Sequence, residues 1–298
     1  MRSDEITAAA AGTWTLGDLT VNRMGFGSMR LTANPNRELA ITVLRRAVEL
    51  GVNHIDTAAF YFSPGGILDV GSGQTRYATE LIRDALTPYP SDLVITTKVG
   101  PGFADDGTFS MASTEAQLRA QVQENLRRLR RDHLDVVNLR IVKRPVPDSI
   151  AERFGALVKM RDEGLIRHLG LSNVRVDHLD EAQQIAPVVC VQNGYAIDTN
   201  RGDDGLLKIC GERGVAFVPF FAIAGPQREA GPAESHSDPV QEIARARGVT
   251  PQQVRLAWTL HQGRHVLAIP GTGNPAHLAE NIAAGALSLS PTELAQLA

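Results

Sequence analysis

Cysteine is scarce in this chain. Only Cys190 and Cys210 occur among its 298 residues, and both sit inside apolar or helical patterns. They could pair, but two reduced, packed thiols of a cytoplasmic protein is the reading taken. No apolar run approaches the ~20 residues that a membrane-spanning helix requires. The opening residues Met1-Arg2-Ser3-Asp4-Glu5 include acidic side chains with no long apolar segment after them, so no signal peptide is expected. Charge of one sign is also missing. The net charge is −3, which gives no reason to expect nucleic acid or an anionic membrane as a partner. No His/Cys/Asp/Glu cluster has metal-ligand spacing, and no Gly-Lys phosphate loop is present. There is no strong internal repeat and no break in composition that would separate two domains. Nothing in the sequence assigns an oligomeric state.

What the chain does have is apolar mass and alternation. It is 43% hydrophobic, enough for a sizeable core, and an α/β barrel of about 250 residues commonly stands as one domain. Thr13–Val21 reads as a hairpin turning at Gly17-Asp18. Eight short apolar runs then follow, at Arg23–Gly27, Val52–Asp56, Leu93–Lys98, Leu134–Leu139, Arg167–Leu171, Val188–Gln192, Val215–Pro219 and Val266–Ile269. Helical stripes separate them, such as Leu39, Val43, Ala47 and Leu50, or Leu118, Val122, Leu126 and Leu129. Thr250-Pro251-Gln252-Gln253 is a capping box with proline at the first helical position. Gln227–Asp238 reads as a polar loop. Eight strands alternating with helices long enough for right-handed crossovers predict a single (β/α)8 TIM barrel over residues 1–298, with an N-terminal β-hairpin. The rival is an open doubly wound sheet, which would usually carry Gly-x-Gly-x-x-Gly after its first strand if it bound a dinucleotide. Here Gly25-Phe26-Gly27-Ser28-Met29-Arg30 lacks the third glycine.

Functional groups of such a barrel lie at the C-terminal ends of its strands. Those ends read Met29, Asp56 with Tyr61, Lys98, Arg140, Ser172-Asn173, Gln192-Asn193, Pro219-Phe220 and Pro270-Gly271-Thr272. A lone aspartate after a strand is more often a turn residue. With a tyrosine and a lysine at matching ends, a joint chemical role becomes the better reading. A lysine ammonium lowers the pKa of a nearby phenol, and an aspartate holds that lysine charged and in place, which makes the phenol a usable proton donor.

The motifs His54-Ile55-Asp56-Thr57-Ala58 with Tyr61, Thr97-Lys98, Gly170-Leu171-Ser172-Asn173, Gln192, and Ile269-Pro270-Gly271-Thr272 with His277-Leu278-Ala279-Glu280-Asn281 resemble those of the aldo-keto reductases from Gly25 to the end. The resemblance implies a nicotinamide cofactor, NADPH with NADH not excluded, lying across the barrel mouth, and a small-molecule carbonyl substrate protonated by Tyr61. It further implies that Ser172, Asn173 and Gln192 bind the carboxamide, that Phe217 before Pro219 stacks on the nicotinamide, and that Phe221 to Pro226 pass near the pyrophosphate. Gly271, Thr272, His277 and Asn281 would serve the adenosine end. Ser172-Asn173 also reads as a helix N-cap, and Phe217 equally as ordinary core. Met29, Phe62, Phe103, Phe220 and Phe221 are candidate apolar pocket walls.

The chain departs from the family pattern in three places. Arg140 stands where the family usually has histidine. It stays charged and does not exchange protons, so Tyr61 keeps the donor role. Together with Gly51–Thr57, Val189–Asn193 and Phe217–Phe221, this arginine resembles the bacterial pyridoxal reductase-like subgroup, which implies pyridoxal as a substrate. Gly271 and His277 stand where many members have lysine and arginine, which weakens the basic pair for a 2′-phosphate. The loop from Phe62 to Gln74 looks longer than its relatives have, by roughly a turn or two of chain; it reads either as a pocket wall for another carbonyl, such as a ketone of specialised metabolism, or as a tolerated surface insertion. Two rival classes remain. One is an aldolase or lyase using Lys98 as a Schiff base, which a charged lysine disfavours. The other is a regulatory module that binds NADP(H) without turnover.

Overall fold

The computed structural model describes residues 5–103, 107–142, 148–199, 201–223 and 236–298. The polar stretch expected as a loop from Gln227, and residues 224–226 of the expected pyrophosphate segment, fall outside the described residues.

Seven parallel strands run side by side in the order in which the chain makes them: Phe26–Gly27, His54–Asp56, Val94–Val99, Leu134–Arg140, Ile166–Ser172, Cys190–Gln192 and Ala216–Phe217. The eighth apolar run closes the ring through two parallel bridges, Phe217 with Val266 and Met24 with Ala268. Backbone hydrogen bonds seal it, with Leu267 N donating to Phe217 O at 2.9 Å and Gly25 N to Ala268 O at 2.8 Å. The sheet therefore has no open edge, as the barrel reading predicted.

Because strand side chains alternate, the barrel sorts its residues into two packed layers. Outward residues such as Ile55, Ile95, Val137, Leu139, Leu169, Leu171, Val191 and Phe217 join the helices in one large apolar core. Inward residues Val94, Val136, Cys190, Ala216, Val218 and Leu267 form a smaller one. The hairpin Thr13–Leu16 with Leu19–Asn22 completes that inner cluster with Leu16 and Val21, which plugs the barrel at the N-terminal ends of the strands. Asp18 at its tip pairs with Arg167 and with His168 at the start of the fifth strand. With that end stoppered, the opposite end is left for chemistry.

The helices start where local chemistry says they should. Asn36 accepts from Leu39 N ahead of Arg37–Glu49, and Thr114, Thr250 and Ser290 form capping boxes with Gln117, Gln253 and Glu293. Some elements were not anticipated. Helix Asp238–Arg247 carries its stripe on Val240, Ile243 and Ala244 and ends at Gly248 in the left-handed region. A small hairpin, Pro101–Phe103 with Phe109–Met111, follows the third strand. Cys190 and Cys210 are both free and buried, and burial pushes each thiol pKa up to about 12. Among the described residues no helix is long and apolar enough to cross a membrane.

Candidate active site

Register places the polar groups. In the parallel ladder Asp56 lies beside Thr96, Lys98 beside Asn138, and Arg140 beside Ser172, which in turn neighbours Gln192. The inward phase of the second to sixth strands thus ends on a polar side chain: Asp56, Lys98, Arg140, Ser172 and Gln192. Lys98 is 1% exposed, and its Nζ donates to Asp56 Oδ1 and Oδ2 at 2.7 Å each and to Thr57 O at 3.0 Å. The ammonium is held between the carboxylate and the Thr57 carbonyl, and an ammonium has no lone pair to offer as a nucleophile. Gln192 Nε2 donates to Asp56 Oδ2 at 2.7 Å, which fixes the carboxylate from its other side. Such a pair is tolerated in the interior because its hydrogen bonds are complete.

The ammonium also sits 4.7 Å from the centre of the Tyr61 ring. Tyr61 follows the second strand through a turn in which its N–H donates to Ala58 O at 3.0 Å. One layer down, His54 is buried with Nε2 3.1 Å from Thr96 Oγ1. Burial pulls its pKa down to about 4, with the Asp56 carboxylate opposing and the Lys98 ammonium assisting. It is a neutral neighbour of the ion pair.

Asp56, Tyr61 and Arg140 line a cavity of about 320 Å3, which Met29, Phe60, Ile67, Asn173 and Phe220 also help to enclose. Arg140 is half buried. Its Nη1 donates to Ser172 Oγ at 3.0 Å, and its guanidinium lies 5.0 Å from the centre of the Phe220 ring. Among the described residues no carboxylate pairs with it, so its charge faces the cavity. Asn173 adopts φ +60°, a conformation that asparagine tolerates better than most residues, and its Nδ2 is anchored on Ile141 O at 2.8 Å.

These features are those of a known group of proteins. The model described as the Aldo/keto reductase family matches residues 23–298. The chain belongs to the aldo/keto reductase family. It is an oxidoreductase of carbonyl and alcohol groups. Pyridoxine 4-dehydrogenase of Escherichia coli (strain K12) is 41% identical to it over 299 residues, covering 97% of this chain and 98% of the relative. An uncharacterised oxidoreductase of Schizosaccharomyces pombe is 34% identical over 301 residues, covering 99% of this chain and 92% of that one. A solved aldo/keto reductase of Klebsiella pneumoniae in complex with NADP and acetate matches with a TM-score of 0.75 at 28% identity, covering 93% and 90% of the two chains.

In this aldo/keto reductase the expected residues separate into groups. Asp56, Tyr61, Lys98, Arg140, Ser172, Asn173 and Gln192 converge, and Met29, Pro219, Phe220, Phe221 and Gly271 line the cavity. Phe217 does not reach it. It is fully buried on the outward phase of its strand, with its ring edge-on to Tyr195, which stacks on Trp258. The aromatic ring beside Pro219 at the mouth is instead Phe220. Phe62 and Phe103 also turn away, into an aromatic cluster with Tyr77 and Phe109. Thr272 accepts from Asn274 N at 3.0 Å, and Asn274 caps helix Pro275–Ala283. That helix carries exposed His277 and buried Asn281 one turn apart, and neither borders the cavity. Gly271 has a steric reason to be glycine, since a Cβ there would meet Gly27 O at 2.4 Å. Asn193, at the end of strand six, bonds Val174 and Asp203 and is structural. The sequence reading passed over Phe60, Ile67 and Arg30 as cavity residues. Arg30 stands just past the first strand end, so the strand-end rule would have reached it with one more residue.

Proposed function

We propose that this chain is an NADPH-dependent carbonyl reductase in which Tyr61 is the proton donor. The observation that carries the reading is the Lys98 ammonium, held by both Asp56 oxygens and set 4.7 Å from the Tyr61 ring at the cavity wall. NADPH would supply a hydride to the carbonyl carbon. Tyr61 would give its phenolic proton to the carbonyl oxygen, and the Lys98 charge would stabilise the phenolate left behind until solvent reprotonates it. Arg140 would donate to an oxygen of the substrate and hold it in place, without proton exchange.

The residues present suit the cofactor. Gln192 Oε1 is buried without a hydrogen-bond partner among the described residues, an acceptor that a carboxamide N–H would satisfy. Ser172 and Asn173 stand beside it, and Phe220 borders the cavity at the mouth. The Klebsiella relative in complex with NADP supports the choice of dinucleotide. Gly271, Thr272, His277 and Asn281 would lie toward its adenosine end. As substrate we place pyridoxal first, on the strength of the E. coli pyridoxine 4-dehydrogenase and of Arg140, whose fixed charge suits an aldehyde beside an ionised ring oxygen. The chain would act as one barrel domain over residues 1–298, and its buried free thiols suit the cytoplasm.

The test is NADPH oxidation with pyridoxal and a panel of aldehydes and ketones, for wild type and Tyr61→Phe. Pyridoxal turnover that falls at least ~100-fold in the variant, with NADPH affinity unchanged, is the expected outcome. Turnover of other carbonyls alone would retain the mechanism and reassign the substrate. NADPH binding without turnover of any carbonyl would refute the reductase reading.

A further inference from the structure

We propose that Ile67, carried by the loop between Phe62 and Tyr77, is the residue that sets the size of the apolar group this reductase accepts. The proposal rests on the reductase reading above and names a specificity determinant within it.

The loop is not a loose insertion. Its ends pair as a two-residue ladder, Phe62 with Tyr77 and Ser63 with Arg76. Inside it, Val70 N donates to Ser63 Oγ at 3.1 Å and Gly65 N to Asp69 Oδ1 at 2.7 Å. Arg76 ties it to the segment that carries Met29, donating from Nε to Thr32 O at 2.9 Å, and braces the loop itself from Nη1 to Gln74 O at 3.0 Å. Leu68 is 2% exposed and anchors the loop below, while neighbouring Ile67 is half buried and borders the cavity. Gly66 makes this turn feasible. Its backbone folds onto Phe62 so closely that a Cβ would meet Phe62 O at 2.0 Å. A loop braced by these bonds presents Ile67 as a defined wall, not an adaptable one.

That wall meets the cavity beside Tyr61, together with Met29 and Phe60, while Arg140 contributes to the same cavity a charge that no carboxylate among the described residues neutralises. The substrate class that fits is a carbonyl compound with a polar or ionised oxygen near the carbonyl and a hydrocarbon or aryl group of limited bulk elsewhere. Ile67 meets the second part.

The experiment measures kcat and KM with NADPH for propanal, benzaldehyde, 4-tert-butylbenzaldehyde and 2-naphthaldehyde, using wild type, Ile67→Val, Ile67→Ala, Ile67→Trp and Gly66→Ala. For aryl substrates that wild type accepts, Ile67→Ala is expected to raise KM about 10-fold with kcat nearly unchanged, and to improve kcat/KM for the bulkiest aldehyde. Ile67→Trp should exclude the bulky aldehydes and leave propanal unaffected, and Ile67→Val should stay close to wild type. Gly66→Ala, which displaces the loop without changing a cavity side chain, should reproduce the KM rise. Equal changes for propanal and the aryl series, or none for either, would overturn the role of Ile67 while the reductase reading stands. Wild type that reduces no aldehyde and no ketone of the wider panel would overturn both.

Discussion

Replacing Lys98 by methionine tests the centre of the proposed chemistry. The structure gives two separate consequences. The first concerns turnover. At an effective dielectric of about 20, a unit charge on the Tyr61 ring 4.7 Å from the ammonium is stabilised by about 3.5 kcal/mol. A transition state with half of that charge developed would lose about 1.8 kcal/mol, or about 20-fold in kcat, and one with all of it about 400-fold. The second concerns folding. Lys98 and Asp56 are 1% and 5% exposed at their side chains, and removing one partner strands a buried carboxylate at a cost of about 3–5 kcal/mol. The double variant Lys98→Met/Asp56→Asn separates these effects, since it leaves no stranded charge. It should recover most of the stability in urea and leave kcat well below wild type. Steady-state kinetics on the best carbonyl substrate and equilibrium unfolding of both variants supply the readouts. A single variant with kcat within about 2-fold of wild type, or a double variant that regains wild-type kcat, would show that the lysine only holds the fold.

Two further expectations concern His54 and the pair Phe217 and Phe220. His54 has a folded-state pKa of about 4 against an ordinary 6.5, so the unfolded chain binds more protons between those values. Stability is therefore full above pH 6.5 and is lost as pH falls toward 4, by about 2 kcal/mol at pH 5. Urea unfolding of wild type and His54→Asn at pH 7 and pH 5 checks this, since the variant should lack that component of the slope. Phe217 and Phe220 should behave oppositely: Phe217→Ala removes an outer-core ring and should cost about 3–5 kcal/mol of stability with kcat/KM nearly retained, whereas Phe220→Ala should weaken NADPH binding with little loss of stability. NADPH titration followed by fluorescence, beside thermal unfolding, distinguishes the two.

The strand ends, the caps and the order of elements were legible in the sequence because each depends on neighbours within a few residues. Thr250 caps its helix from three residues away, and Asp56, Lys98, Arg140 and Ser172 close apolar runs that have to face a core. Tyr61 and Lys98 were paired by their places at matching strand ends, and the motif resemblance added the nicotinamide cofactor. Tertiary structure decided the rest. Phe217 and Phe220 are three residues apart beside one proline, and only the phase of the short seventh strand, fixed by its ladders to Val191 and Val266, sends the first outward and brings the second to the mouth. The carbonyl of Gly27 across the barrel seam determined that residue 271 is glycine. Ile67 faces the cavity because Arg76 and Gly66 fold its loop against segments distant along the chain. Sequence period assigns a residue to an element, but which surface it meets depends on partners that only closure of the barrel brings within reach.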